Sequence, residues 1–247
     1  AEGDDAIHAD SMAADRAIEF LEVNKDRPFF LAVGFVRPHV PLVAPVQYFD
    51  RYDRDRMEAP WFPENDLDDV PEIIREYKSN DSTYGVTPEL HKGLLEAYYA
   101  SVSFMDAQAG RVLDALEEQG LRENTIVVFS ADHGYLLGHH DKYQKQHLFE
   151  ESTRVPFILS VPWLDEEHGG VTNEITELID LYPTLADLAG LETPDYLQGT
   201  SLKPLIVDTA SSGWDKDLAF TISQSGGESI RTKDWRFTQW DFGNAGC

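Results

Sequence analysis

Apolar residues at Ile7, Ala14, Ala17, Ile18 and Leu21 recur about one helical turn apart, the spacing of a helix with one buried face. Asn24-Lys25-Asp26-Arg27-Pro28 supplies the turn that stops it. The run Phe29-Phe30-Leu31-Ala32-Val33-Gly34-Phe35 has no polar position and predicts a strand covered on both faces, with Arg37-Pro38-His39 leaving its end. Residues 41–87 are rich in Pro, Asp, Tyr and Trp without sustained periodicity, which predicts a long irregular excursion with a short helix near 71–77. Thr87-Pro88-Glu89 has the form of an N-cap, a proline at the first helical position and an acid in the first turn. The helix it opens is expected to bury Leu90, Leu94, Tyr98, Val102, Met105, Ala109, Val112 and Leu116 and to end at Gly120. Residues 125–130 and 155–161 read as two further buried strands, and 178–188 as a helix capped by Gly190. Segments 218–224 and 231–240 alternate as antiparallel strands do. The expected fold class is therefore α/β, a largely parallel mixed sheet flanked by helices, with a small antiparallel part at the C-terminal end. Ligands of such sheets gather beyond the carboxyl ends of strands, so residues leaving 29–35 and 125–130 are the first candidates for chemistry.

Composition narrows the partners. With 42% hydrophobic residues in 247, the chain can bury a core. Twenty Lys and Arg against 45 Asp and Glu give a net charge of −25, which argues against nucleic acid and against an anionic membrane surface. No apolar run approaches the roughly 20 residues a membrane span needs, and Ala-Glu-Gly-Asp-Asp at the start lacks the basic and apolar regions of a signal peptide. The single cysteine, Cys247, excludes an internal disulfide and a multi-cysteine metal site. An acidic first loop and a terminal cysteine lead us to expect a fragment of a longer protein. An anionic substrate would be repelled by the overall field, so its attraction must come from local cations and a bound metal.

Three places offer that attraction. In Ser130-Ala131-Asp132-His133-Gly134 a carboxylate and an imidazole appear together where a buried strand runs into a loop. A hard oxygen and a neutral nitrogen can converge on one cation if the backbone turns at Gly134. An ordinary turn would also use Asp and Gly. Residues 137–147 hold His139, His140, His147, Lys142 and Lys145, a cationic island in an acidic chain, although exposed lysines commonly need no partner. Arg37-Pro38-His39 is the third, and it too could be a surface turn.

Taken in order, several segments resemble the sulfatases of the alkaline phosphatase superfamily, the iduronate-2-sulfatase-like branch in particular. They are Ala17-Ile18-Glu19-Phe20-Leu21, residues 28–35 with Arg37-Pro38-His39, residues 98–106, residues 125–137, and Thr153-Arg154-Val155-Pro156. The resemblance covers nearly the whole chain. It implies an alkaline phosphatase-like fold in which residues 1–205 are the C-terminal-side portion of the catalytic domain and 206–247 begin a smaller antiparallel subdomain. It implies that Asp132 and His133 bind a divalent cation, usually calcium in this family, and that His39 and Lys145 contact the sulfate. A metal, an ammonium and an imidazolium around a sulfate ester stabilise the charge that builds on its oxygens, and either His39 or Lys145 could protonate the leaving alcohol. Calcium prefers oxygen ligands, so its identity rests on the resemblance alone. His139, His140 and His147 are expected to be structural or to support the ligands.

Such enzymes attack with a formylglycine made from the cysteine of Cys-x-Pro-x-Arg, which these residues do not contain. Ser160-Val161-Pro162-Trp163-Leu164 ends in leucine where an arginine would hold sulfate, and reads better as a core strand end. The family also uses an Asp-Asp pair after its first strand; neither Asp4-Asp5 nor Asp68-Asp69 follows an apolar strand, so both are expected to be solvated acids. The formylglycine and half of the metal shell are therefore expected in a preceding N-terminal portion of the same protein, and this polypeptide alone should show no turnover. The expected substrate is a sulfated carbohydrate. The alternatives are a phosphodiesterase or phosphonate hydrolase of the same superfamily and a non-catalytic protein that grips sulfated glycans. The family's tendency is secreted, periplasmic or lysosomal. Tyr48, Tyr52 and Trp61 could stack on sugar rings, although packing within their own loop is the simpler expectation.

Overall fold

The computed structural model describes residues 4–164, 169–210, 213–224, 226–240 and, for the backbone, 245–246, so Cys247 lies outside the described residues. The chain divides into two compact units, one formed by residues 4–62, 78–125 and 137–142, the other by 63–77, 126–136 and the residues from 143 onward.

The first unit is built on two helices. Helix α1 spans Ala9–Asn24 and buries Ala14, Ala17 and Leu21, three of the five positions picked out by the spacing. A short helix α2 (Val46–Phe49) follows. After α3 (Glu72–Glu76), which belongs to the second unit, the long helix α4 runs from Pro88 to Glu118. Its start is as expected: the Leu90 amide donates to Thr87 Oγ1 at 3.3 Å, and Pro88 occupies the first turn, where no amide is needed. Its end is set by Gly120, whose φ of +69° lets the Leu121 amide reach back to the Leu116 carbonyl at 3.0 Å.

The buried face of α4 differs from the expected one. Leu90 is exposed, and the interior side carries His91, Leu95, Ala100, Ser101, Phe104, Gln108 and Ala115, with only Leu116 shared between the two sets. The stripe was misplaced by about one residue because polar positions help to form it. Ser101 donates back to the Ala97 carbonyl at 2.8 Å and Gln108 accepts from Arg111 at 2.9 Å, so both are buried without an orphaned group. Ala44, Tyr48, Ala100 and Phe104 form this unit's core, the Tyr48 and Phe104 rings meeting edge-on at 5.4 Å. Tyr52 shares a 2.6 Å hydrogen bond with Ser103, so these two tyrosines pack their own loop, whereas Trp61 is 87% exposed. Asp5 accepts from Tyr48 and Gln47, each at 2.7 Å, a structural use for one member of an acidic pair that resembled metal ligands. Burial and the Asp5 carboxylate push the Tyr48 phenol up to about 12.

Residues 29–35 are extended but join no β-ladder among the described residues. Half-buried Phe29, Leu31, Val33 and Phe35 alternate with exposed Phe30, Ala32 and Gly34, so one face of the expected strand is covered and the other is not. Phe29 meets Phe20 of α1 edge-on at 5.9 Å.

In the second unit, strands β1 (Val127–Ser130) and β4 (Phe157–Ser160) pair antiparallel, with Val127 opposite Ser160 and Ser130 opposite Phe157. The largely parallel sheet expected from the sequence is not seen among the described residues. Apolar runs carry no direction, and a parallel return needs a crossover, usually a helix. Here the connection holds only the two-residue strands β2 (Leu136–Leu137) and β3 (Tyr143–Gln144), a 3-10 turn between them (His139–Asp141) and the four-residue helix α5 (Glu150–Thr153). The expected helix at 178–188 is a 3-10 turn (Leu178–Asp180) continued by α6 (Leu181–Leu188), with Gly190 at φ +68° beyond it; α7 (Lys203–Val207) follows. Strands β5 (Leu218–Ile222), β6 (Glu228–Thr232), β7 (Arg236–Trp240) and β8 (Ala245–Gly246) form an antiparallel sheet in sequence order.

Two polar networks fasten that sheet. Lys216, just before β5, donates to Asp180 at 2.6 Å and Glu177 at 2.9 Å, while Glu177 accepts the Phe220 amide and Asp180 the Thr200 amide, both at 2.8 Å. Burial opposes the Lys216 charge, but the two carboxylates outweigh it and leave the ammonium's pKa raised. On the other strands, Arg236 donates to Glu150 of α5 at 2.5 Å and Thr153 at 2.9 Å, with Arg231 also 3.4 Å from Glu150. Val70, Ile74, Leu148 and Trp240 form the apolar core beside them.

Candidate active site

The residues after β1 leave the sheet edge as the sequence suggests, and Gly134 is the reason they can. An added Cβ there would lie 2.0 Å from the Glu151 carbonyl oxygen and 3.3 Å from that of Arg154. The Gly134 amide donates to the Ser152 carbonyl at 2.9 Å. The loop is thus pinned to α5 by a backbone approach that only glycine permits. His133 Nδ1 lies 2.8 Å from the Gly134 carbonyl, which can only accept, so Nδ1 carries a proton. In neutral His133 the lone pair is therefore on Nε2, and Nε2 is 3.4 Å from Asp132 Oδ2. The Asp132 side chain is 87% exposed, and its Oδ1 accepts the His133 amide at 3.0 Å. One carboxylate oxygen and one imidazole nitrogen thus stand close enough to share an ion. No group of three or more His, Cys, Asp or Glu suited to a metal occurs among the described residues, so the pair does not by itself make up a full coordination shell.

His39 belongs to the first unit and sits at the end of the extended segment, exposed, with its amide donating to the Val36 carbonyl at 2.9 Å. Its Nδ1 is 2.6 Å from the Val40 carbonyl, which places the proton on Nδ1 and, in the neutral ring, the lone pair on Nε2. The guanidinium of Arg37 donates to the carbonyls of His39 at 2.5 Å and Pro41 at 2.9 Å. The carboxylate of Asp10, in the first turn of α1 and almost wholly buried, accepts the amides of Val36 at 2.8 Å and Arg37 at 3.0 Å.

Lys145 lies half-buried in the second unit, in the segment after β3, between Gln144 and Gln146, whose φ angles are +68° and +74°. His140 and Asp141 are also left-handed, at +55° and +53°. Non-glycine residues in this region cost about 1–3 kcal/mol each and concentrate where a loop must present a side chain in one way. His147 is buried, its ring meeting Tyr77 at 5.3 Å and its Nε2 3.2 Å from the Tyr143 carbonyl, a structural role. In the first unit His139 Nδ1 accepts the Leu137 amide at 3.4 Å, and Lys142 is fully buried, burial drawing its pKa down.

The structure brings Asp132 and His133 together; it places His39 in the other unit and Lys145 twelve positions along the chain from His133. The residues that the sequence reading missed are Asp10 and Arg37 as holders of the His39 loop. Asp10 is legible in retrospect, four residues before Ala14 and seven before Ala17, an acid on the apolar stripe of α1.

A family model described as Sulfatase matches residues 6–191, and the chain belongs to that family. It is 32% identical over 243 residues to a sulfatase of Formosa agariphila, covering 97% of this chain and 47% of the relative. It is 33% identical over 227 residues to iduronate 2-sulfatase of Homo sapiens, covering 75% of this chain and 40% of the relative. The chain spans less than half the length of the curated relatives it matches. The fold is alkaline phosphatase-like by its solved neighbours. The phosphonate monoester hydrolase of Agrobacterium radiobacter superposes with a TM-score of 0.82 at 23% identity, over 96% of this chain and 53% of that one. BT4656, solved in complex with its substrate D-glucosamine-2-N,6-O-disulfate, superposes at 0.77 and 21% identity, over 94% and 60%.

Proposed function

We propose that this chain is the C-terminal-side portion of a sulfuric ester hydrolase acting on sulfated sugars or polysaccharides. In this reading residues 1–205 complete the catalytic domain and 206–247 open the smaller subdomain. Asp132 and His133 hold a divalent cation, calcium by family precedent, which neutralises charge on the sulfate when bound. The arrangement that carries the reading is the His133 ring, its Nδ1 proton engaged by Gly134 and its Nε2 beside Asp132 Oδ2. His39 and Lys145 contact the sulfate oxygens as cations, and one of them gives the departing alcohol its proton. The nucleophile, a formylglycine, comes from outside these 247 residues, which contain no Cys-x-Pro-x-Arg. Support for the substrate class comes from iduronate 2-sulfatase among the relatives and from the disulfated glucosamine that BT4656 takes as substrate.

Replacing Asp132 by Ala in the full-length enzyme tests the assignment. Turnover of an aryl sulfate should fall to background while the melting temperature stays within a few degrees, because the side chain is exposed. Undiminished turnover would remove Asp132 from the metal site. The same enzyme should prefer aryl sulfate over aryl phosphonate and phosphate diesters; the reverse preference would favour phosphonate or phosphodiester hydrolysis. Calorimetry on the isolated chain should show calcium binding weaker than about micromolar, since a pair of ligands is well short of the six to eight calcium takes.

A further inference from the structure

We propose that Asp10 and Arg37 form a two-sided clamp that positions His39, an inference that rests on the reading of His39 as a sulfate contact. The clamp joins residues far apart in sequence. From the interior, each Asp10 oxygen takes one amide of the Val36–Arg37 pair, at 2.8 and 3.0 Å, across 26 and 27 residues. From the outer side, the Arg37 guanidinium ties together the carbonyls of His39 and Pro41, two residues apart. Between these grips the His39 amide closes a turn onto the Val36 carbonyl, and the ring's Nδ1 proton is held by the Val40 carbonyl. The loop is thereby held from both sides, and Nε2 is the ring nitrogen left to meet a ligand.

The chemistry of the inner grip is specific. A carboxylate has two acceptors and no donor, which matches two converging backbone N–H groups. An asparagine of the same shape would turn an N–H2 toward one of those amides, donor against donor, in a site with almost no water. Arg37, which a cation-seeking reading would send to the sulfate, instead spends its NH1 on two carbonyls. It acts through His39 and not on the ester.

A double-mutant cycle in the full-length enzyme tests this. Asp10→Asn should lower kcat by up to about a hundredfold, the usual cost of moving a reacting group by about 1 Å, with KM changed less. In a His39→Ala background the same substitution should change kcat less than about twofold, because the group it positions is gone. Arg37→Met, on a partly exposed side chain, should behave in the same way and serves if Asp10→Asn does not fold. Equal losses in both backgrounds would show the clamp to be merely structural and overturn the proposal while leaving His39 in place. A His39→Ala enzyme with wild-type kinetics would instead remove the reading of His39 itself, and the clamp's purpose with it.

Discussion

Gly134→Ala is the sharpest test of how the Asp132–His133 pair is held. The added methyl would sit 2.0 Å from the Glu151 carbonyl oxygen, more than 1 Å inside the 3.4 Å at which ordinary contact begins, and 2.9 Å from its carbon. All the nearest atoms are backbone, so no side chain can swing away to make room. The loop must lift off α5, and the 2.9 Å bond from the Gly134 amide to Ser152 breaks. Overpacking of this kind costs about 1–3 kcal/mol, and a lost internal hydrogen bond about 0.5–1.5 kcal/mol more. The carbonyl that orients His133 Nδ1 belongs to the same residue, so displacement carries the ligand pair with it. In the full-length enzyme, differential scanning calorimetry should show a lowered melting temperature, and metal titration should show affinity weakened about tenfold or more. Wild-type affinity with wild-type melting would mean that Gly134 neither packs against α5 nor steers the pair, and the account of the loop would be wrong.

Three further outcomes follow from the ion networks. Lys216→Met leaves the wholly buried Asp180 carboxylate without its cation and should cost about 3 kcal/mol, read from urea unfolding. Because the folded pKa of Lys216 is raised, its contribution is complete below the ordinary lysine range and is lost as pH rises through the higher folded value; an alkaline melting profile should lose that step in Lys216→Met and keep it otherwise. For Glu150, burial opposes the charge, but hydrogen bonds and attraction from Arg236 and Arg231 outweigh it and hold the folded pKa below the usual carboxylate range. That stabilisation is present above the ordinary glutamate value and fades as pH falls through the lowered one, so Glu150→Gln should flatten the acid limb; an unchanged limb would assign it to other carboxylates.

The sequence carried the helix ends better than the helix faces. Thr87, Pro88 and Gly120 act within a few residues of themselves, so α4 begins and ends where local chemistry puts it. Which side of α4 is buried depends on neighbours in space, and Ser101 and Gln108 entered the interior with hydrogen bonds that a hydrophobic pattern does not register. The same limit governed the strands. The apolar runs at 125–130 and 155–161 were legible as strands, while their antiparallel pairing depends on how the chain returns between them. At the site, Asp132-His133-Gly134 was visible as a motif, but the reason for its glycine lies in the carbonyl of Glu151, seventeen positions away. Asp10 shows the reverse case, since an acid on the apolar stripe of α1 was a signal in plain view.

The four left-handed residues between positions 140 and 146 make that stretch a natural target for anyone wishing to toughen the protein. Glycine at Gln144 or Gln146 would adopt the same backbone at no steric cost, and the gain in robustness would come with a wider range of directions for the ammonium between them. Durability and aim are set against each other in a handful of torsion angles.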